Sequence, residues 1–368
     1  MTVQGRDTKA EALPAPSRMS RTHLVSWALV LGIAALVLLF VFSDARKLWE
    51  IASTLSVWRL SIPLGCALLS YVLMALSYQG IARAAGAEVP FWEMLKITFV
   101  ANTVNYVVST GGISGFAVRL YFFIRLKIPS GTAVIISLVQ GVVTNLILLL
   151  FVVVGFAYLL TANSLHGYAL GTTAGLLFLF ILVAVVAIVL LVHRQLRRRT
   201  LFFMSEVVHW FTHRFLPRHK PGRLHIWRFQ RNLNRGIDFV LARKAHMVVP
   251  TLWIIADWAV TLLILWGGFV AVNYPIPLSF VVVGFAVGII LSLVSFVPGG
   301  LGVMEGSMAA IFASLSVPFE TAVVAVLIFR VAYYVLPMII SVFFFRGMLL
   351  QGARVGPDVL EAPPEQSA

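Results

Sequence analysis

Six long, mostly apolar runs punctuate the chain, at 24–42, 60–82, 133–160, 168–192, 248–272 and 321–345. Each approaches or exceeds the roughly 20 residues that a helix needs to cross the hydrocarbon of a bilayer. Two further apolar stretches break partway. One begins at 92 and reaches STGGISGFAVRL at 109–120; the other begins at 278 and reaches FVPGGLGVMEG at 296–306. In the second, Pro298 lacks the amide a helix needs, and Gly299, Gly300 and Gly302 supply positive-φ freedom, as Gly111 and Gly112 do in the first. Backbone bared at membrane depth is tolerated only where it packs in protein or lines a cavity.

The two broken stretches resemble each other. Laying Gly111 and Gly112 on Gly299 and Gly300 puts Ile113 over Leu301, and one residue of slippage then puts Ala133 and Val134 over Ala322 and Val323, and Leu138 over Leu327. The halves of the chain read as an internal repeat.

Composition agrees with the pattern, since 60% of the residues are hydrophobic and 11% charged, as in a polytopic helical membrane protein. Charge decides the topology. The formal charge of +14 is concentrated at 193–247, where 13 Lys or Arg face only Glu206 and Asp238, and such a block belongs on the cytoplasmic side beside anionic lipid. If 92–124 crossed fully, Arg119, Arg125, Lys127 and later the basic block would lie outside. A re-entrant hairpin with its turn near Gly111 to Gly115 keeps every basic cluster inside.

The fold expected is therefore an all-α polytopic membrane protein with six full transmembrane helices plus two re-entrant helical hairpins related as an inverted repeat, the first open from the cytoplasm and the second from outside. Eight ordinary spans are the alternative, with the termini on the same side. Residues 1–22 and 349–368 read as cytoplasmic tails, and 23–348 as a membrane domain made of an N-terminal half (23–192), a basic loop (193–247) and a C-terminal half (248–348). The segment 44–59, with Trp49 and Trp58, suits the interface. In the basic loop, Leu201, Met204, Val208, Phe211 and Phe215 recur at helical spacing, which fits either an amphipathic helix on the inner surface or a solvated linker.

An ionisable group inside hydrocarbon is costly unless paired, so each is a candidate site. Arg119, Asp257, Glu305 and Arg330 form the main set, with Glu93 and Lys96 as weaker members. Two cations and two anions can pair within the bundle, either as working groups or as salt bridges that only fix register. Glu305, directly after Pro-Gly-Gly-x-Gly, stands beside bared amides. Asn102, Asn105, Ser109, Thr110, Ser114, Gln140, Thr144 and Asn145 crowd the first break, as the lining of a hydrated groove or as interhelical hydrogen-bonding groups. Trp and Tyr near span ends read as interfacial anchors.

Other chemistries find no support in the sequence. Cys66 is the only cysteine, the histidines show no metal spacing, and neither a phosphate-binding loop nor a supported Ser-His-Asp arrangement occurs, so no cofactor or metal is expected. The basic block lacks any nucleic-acid recognition motif.

At FVPGGLGVMEG followed by LIFRVAYYVLPMII, and at GGISGFAVRLYFF, the chain resembles the lysylphosphatidylglycerol synthase transmembrane-region family, the flippase-like membrane domain of the multiple peptide resistance factors. The resemblance spans roughly 24–348 and rests most on Pro298, Gly299, Gly300, Gly302, Glu305 and Arg330. It departs at Thr110, where the family often has proline, near Phe116, where it has an acidic residue, and at Met304, where a basic residue is common; these positions would touch a headgroup. The resemblance implies a stand-alone bacterial inner-membrane protein, with both termini cytoplasmic, that moves a lipid or prenyl-linked lipid between leaflets by alternating access. Glu305, Arg119, Arg330 and Asp257, with the glycines Gly111, Gly112, Gly299, Gly300 and Gly302 and Pro298, would bind or gate, and anionic lipid would gather at the basic inner surface. A membrane-embedded enzyme or accessory subunit of lipid or lipid-linked glycan biosynthesis is the alternative, and an ion-coupled transporter of small solutes a third. A homo-oligomer is compatible with all of them.

Overall fold

A computed structural model describes residues 45–107, 113–161, 242–295 and 300–353, with scattered positions between 175 and 239. All regular structure among them is helical. A short α1 (Ala45–Ser53) leads into α2 (Val57–Ala84), α3 (Phe91–Val107), α4 (Ile113–Arg125) and α5 (Ser130–Thr161). The second half contains α6 (Lys244–Ala271), α7 (Leu278–Ser295), α8 (Val303–Ser314) and α9 (Phe319–Arg330), which runs through a π-helical turn (Val331–Val335) into α10 (Leu336–Ala353).

Four stretches are long and apolar enough to span a bilayer: Val57–Ala84, Ser130–Gly155, Lys244–Ala271 and Phe319–Arg346. Their outward faces carry Leu68, Leu69, Leu150, Val154, Ile339 and Phe343, all exposed, as suits contact with lipid rather than water. The chain is a multi-pass membrane protein. The expected span at 24–42, the amphipathic pattern at 201–215, the residues Ser109 to Gly112 and the pair Pro298-Gly299 lie outside the described residues, as does much of the span at 168–192.

α2 and α6 form the central crossing, and their closest approaches are reciprocal. A Cβ placed on Gly80 of α2 would fall 2.7 Å from the Pro250 ring of α6, and one on Gly267 of α6 would fall 3.1 Å from the Pro63 ring of α2. The order of these pairs makes the helices antiparallel. Only a glycine lets the two backbones come this near, the usual device where helices associate in lipid. Pro63 and Pro250 stand at the same place in helices of equal length, 28 residues each. Both lie in the second turn, past the first four amides that lack a partner within the helix, so each removes one intrahelical hydrogen bond at the same level.

Each broken stretch folds into a pair of helices lying against each other. In the first, Gly115 of α4 sits so close to α3 that a Cβ would lie 2.9 Å from the Ala101 carbonyl oxygen, and the Ser114 hydroxyl donates to Asn105 Oδ1 at 3.5 Å. The helix has already resumed at Ile113, so Gly115 serves as a packing position and not as part of the turn expected there. In the second pair, Gly284 and Gly288 of α7 make room for Phe312 and Met308 of α8. Gly300 and Gly302 carry φ of +63° and +78°, a conformation open to glycine, and Glu305 falls in the first turn of α8.

The hairpins are exchanged between the halves. α3 of the first packs on α10, where Phe99 meets Phe344 edge to face, and α7 of the second packs on α5, where Gly155 backs onto Val282 and Ala286. Each hairpin is thus clasped by a long helix of the opposite half.

Candidate functional site

Glu305 and Arg330 are brought together. Arg330 Nε lies 2.7 Å from Glu305 Oε1, its terminal nitrogen donates to Glu305 Oε2 at 3.2 Å, and the same nitrogen donates to the Gly300 carbonyl at 3.0 Å. One guanidinium therefore clamps both the carboxylate of α8 and the glycine break that leads into it. Both side chains are buried, 3% and 8% exposed. A hydrogen bond between ionised partners is stronger than a neutral one, and the N-terminal end of α8 adds a favourable field for the carboxylate.

Beyond Arg330 the π-helical turn presents two tyrosines. The Arg330 guanidinium sits 4.3 Å from the Tyr334 ring centre, a cation–π contact. Tyr333 stacks on Phe329 with centroids 5.5 Å apart. Both tyrosines reach the first hairpin: the Tyr106 hydroxyl of α3 donates to that of Tyr333 at 3.4 Å, and the Tyr106 and Tyr334 rings lie 4.7 Å apart. The ion pair of the second hairpin and the tip of the first are thus joined through one turn of one helix.

Arg119 of α4 takes a different partner. Its guanidinium donates to Asn102 Oδ1 on α3 and lies over the Tyr78 ring of α2, 4.7 Å from the centre. Asp257 is buried halfway along α6 and accepts a hydrogen bond from the Ser70 hydroxyl of α2. These two hold corresponding places, since Asp257 follows Lys244 by as many residues as Ser70 follows Val57.

The expected pairing of two cations with two anions is therefore only half realised: among the described residues Arg119 and Asp257 make no ion pair and contact neutral groups instead. Glu93 and Lys96 pair with each other at 2.8 Å on one face of α3, apart from these residues in the sequence and partly exposed. Of the polar residues around the first break, Gln140 accepts from Ser77 at 2.7 Å across α5 and α2, while Asn145 donates to the Gly141 carbonyl of its own helix at 2.7 Å. Gly300 and Gly302 stand beside the ion pair; Gly111, Gly112, Pro298 and Gly299 lie outside the described residues.

Sequence reasoning did not single out Ser70, Tyr78, Tyr106, Tyr333 or Tyr334. Tyrosines near span ends read as interfacial anchors, yet Tyr78, close to the end of the span at 60–82, is buried; Tyr71 and Tyr333, in mid-span, are buried as well. One signal was available: Arg330 and Tyr334 are four residues apart, which puts them on one helical face.

The family described as lysylphosphatidylglycerol synthase TM region matches residues 26–341. The chain belongs to this family. Among curated relatives, a phosphatidylglycerol lysyltransferase of Staphylococcus haemolyticus is 23% identical over 324 residues, covering 86% of this chain but 33% of its own length. The chain thus spans about a third of that relative. The inner membrane protein YbhN of Escherichia coli is 24% identical over 345 residues, covering 88% of this chain and 93% of its own length. A UPF0104 membrane protein of Methanocaldococcus jannaschii is 21% identical and covers 73% of this chain and 79% of its own. YbhN and the archaeal protein match over most of their lengths, so the membrane region occurs as a protein in its own right.

Proposed function

We propose that this protein moves a lipid, or a lipid-linked molecule, between the leaflets of the membrane by alternating access. The observation that carries the reading is the junction of the two hairpins: the buried Glu305–Arg330 pair meets Tyr106 through Tyr333 and Tyr334. A polar, charge-bearing junction between two broken helical elements, surrounded by lipid-facing spans, is what the passage of a headgroup needs. The acyl or prenyl chains stay in lipid while the headgroup passes between the hairpins. Glu305 and Arg330 exchange each other for the headgroup as the junction opens to one side and then the other.

Several observations support an inverted repeat as the frame for this motion. Val57 and Lys244, Pro63 and Pro250, Gly80 and Gly267, and Phe91 and Leu278 are all separated by 187 residues. Equivalent residues meet reciprocally across an antiparallel crossing. In this reading both hairpins are re-entrant, the chain crosses six times and its termini are cytoplasmic, and the basic loop concentrates anionic lipid at the inner entrance.

The test is leaflet translocation in proteoliposomes with fluorescent anionic, zwitterionic and prenyl-phosphate lipids. The wild type is expected to move at least one class, and Glu305→Gln to stop it at normal protein levels. Relatives named phosphatidylglycerol lysyltransferase favour a second reading, a membrane subunit serving a lipid-modifying enzyme. A folded wild type that moves no lipid refutes the first reading and leaves the second.

A further inference from the structure

We infer that Arg119 forms a binding site for a phosphate group, bounded by Tyr71 and Tyr78 of α2 and Asn102 of α3. It rests on the transport reading only in treating the bound group as cargo.

Arg330 is buried and Arg119 half-buried, and the two differ in what balances their charge. Arg330 is neutralised by Glu305. Arg119 has no carboxylate within ion-pairing distance among the described residues, and its partners are the Asn102 amide oxygen and the Tyr78 ring. A guanidinium so placed keeps its full charge and most of its five donors for a ligand.

Unused hydrogen-bonding capacity gathers on the same three helices. Arg119 Nε of α4, Tyr71 Oη of α2 and Thr103 Oγ1 of α3 are buried and have no hydrogen-bond partner. Tyr71 is wholly buried, and it lies within electrostatic reach of Arg119. Buried polar atoms are ordinarily satisfied, so an orphaned Nε on a cation with no counter-ion among the described residues, with unpartnered hydroxyls on the two helices that hold it, marks a place suited to something that accepts hydrogen bonds and carries negative charge. Within a bilayer the abundant group of that description is the phosphate of a lipid headgroup, whose oxygens match a guanidinium fork and hydroxyl donors together.

Asp257 lies within electrostatic reach of the same tyrosines but is held by the Ser70 hydroxyl, and it makes no ion pair with Arg119.

The experiment measures binding by the full-length protein in nanodiscs, independently of transport. The probes are fluorescent phosphatidylglycerol, diacylglycerol with the same acyl chains, and inorganic phosphate. Phosphatidylglycerol is expected to bind, diacylglycerol not, and Arg119→Gln to weaken binding about tenfold or more. Arg125→Gln removes the same charge from an exposed site on the same helix and is expected to leave binding unchanged. Arg119→Lys keeps the charge but loses the fork, so it falls between; it also serves if the glutamine variant does not fold. Competition by inorganic phosphate that Arg119→Gln abolishes supports the phosphate chemistry and points to a free anion as a second source. Equal binding of diacylglycerol, or equal losses in the Arg119 and Arg125 variants, overturns the inference even if lipid is translocated. Binding as expected with no translocation leaves the phosphate site standing and refutes transport.

Discussion

Removing Glu305 should be among the most damaging single changes available to this fold. Glu305→Ala leaves the Arg330 guanidinium with the Gly300 carbonyl and the Tyr334 ring but without a counter-ion, in a place where its side chain is only 8% exposed. With so little exposure, solvent screening offers no relief. Breaking a buried pair from one side costs about 3–5 kcal/mol, whereas replacing both partners by apolar residues of similar volume is often neutral. Glu305→Met combined with Arg330→Met should thus be far more stable than the two single losses summed. The resulting coupling, about 3 kcal/mol or more, should stand well clear of the roughly 0.6 kcal/mol typical of interhelical hydrogen bonds in membrane proteins. The assay is reversible unfolding in mixed micelles of rising dodecyl sulfate content, applied to wild type, both single variants and the double. A single-variant loss below about 1 kcal/mol, or a double variant equal to the sum of its singles, would refute the reasoning.

Other expectations are open to equally direct measurement. Gly268→Ala sets a Cβ 2.5 Å from the Ala325 carbonyl oxygen, against backbone that cannot give, and should destabilise by about 1–3 kcal/mol in the same unfolding assay. Gly65→Ala meets nothing within 4 Å in a helix interior and should be neutral or stabilise by about 0.5–1 kcal/mol. In a Cys66→Ala background, single cysteines at Glu88 and Arg125 flank the first hairpin, and those at Tyr274 and Ser314 flank the second. Re-entrant hairpins predict that an impermeant thiol reagent labels the first two from the cytoplasm and the last two from outside. Opposite-sided labelling of Glu88 and Arg125 would establish ordinary spans instead.

Much of the fold could be read in advance because its signals are local. Apolar run length located the four described spans, and the glycine breaks located both helix pairs, since backbone that cannot stay helical declares itself in the residues concerned. The π-helical turn at Val331–Val335 gave no such sign; it contains neither Pro nor Gly. For the site, listing intramembrane charges found Glu305, Arg330, Arg119 and Asp257, but their partners depend on how helices far apart in sequence align. Ser70 and Asp257 are 187 residues apart, and nothing in either segment alone says that a serine and not Arg119 will meet that carboxylate. The tyrosines were misjudged for a related reason: a lone Tyr near a span end has the same sequence context whether it faces lipid or, like Tyr106, another hairpin.

The bond between Ser70 and Asp257 has a consequence set by its position. Each residue is fourteenth in a helix of 28, so the bond marks the middle of both. With these spans centred in the bilayer, a charge leaving that point for either face crosses half of the transmembrane voltage, a difference of about 1.2 kcal/mol per 100 mV. Only the sign depends on the direction taken. The two exits are electrically mirror images, and the resting potential alone decides which of them is downhill.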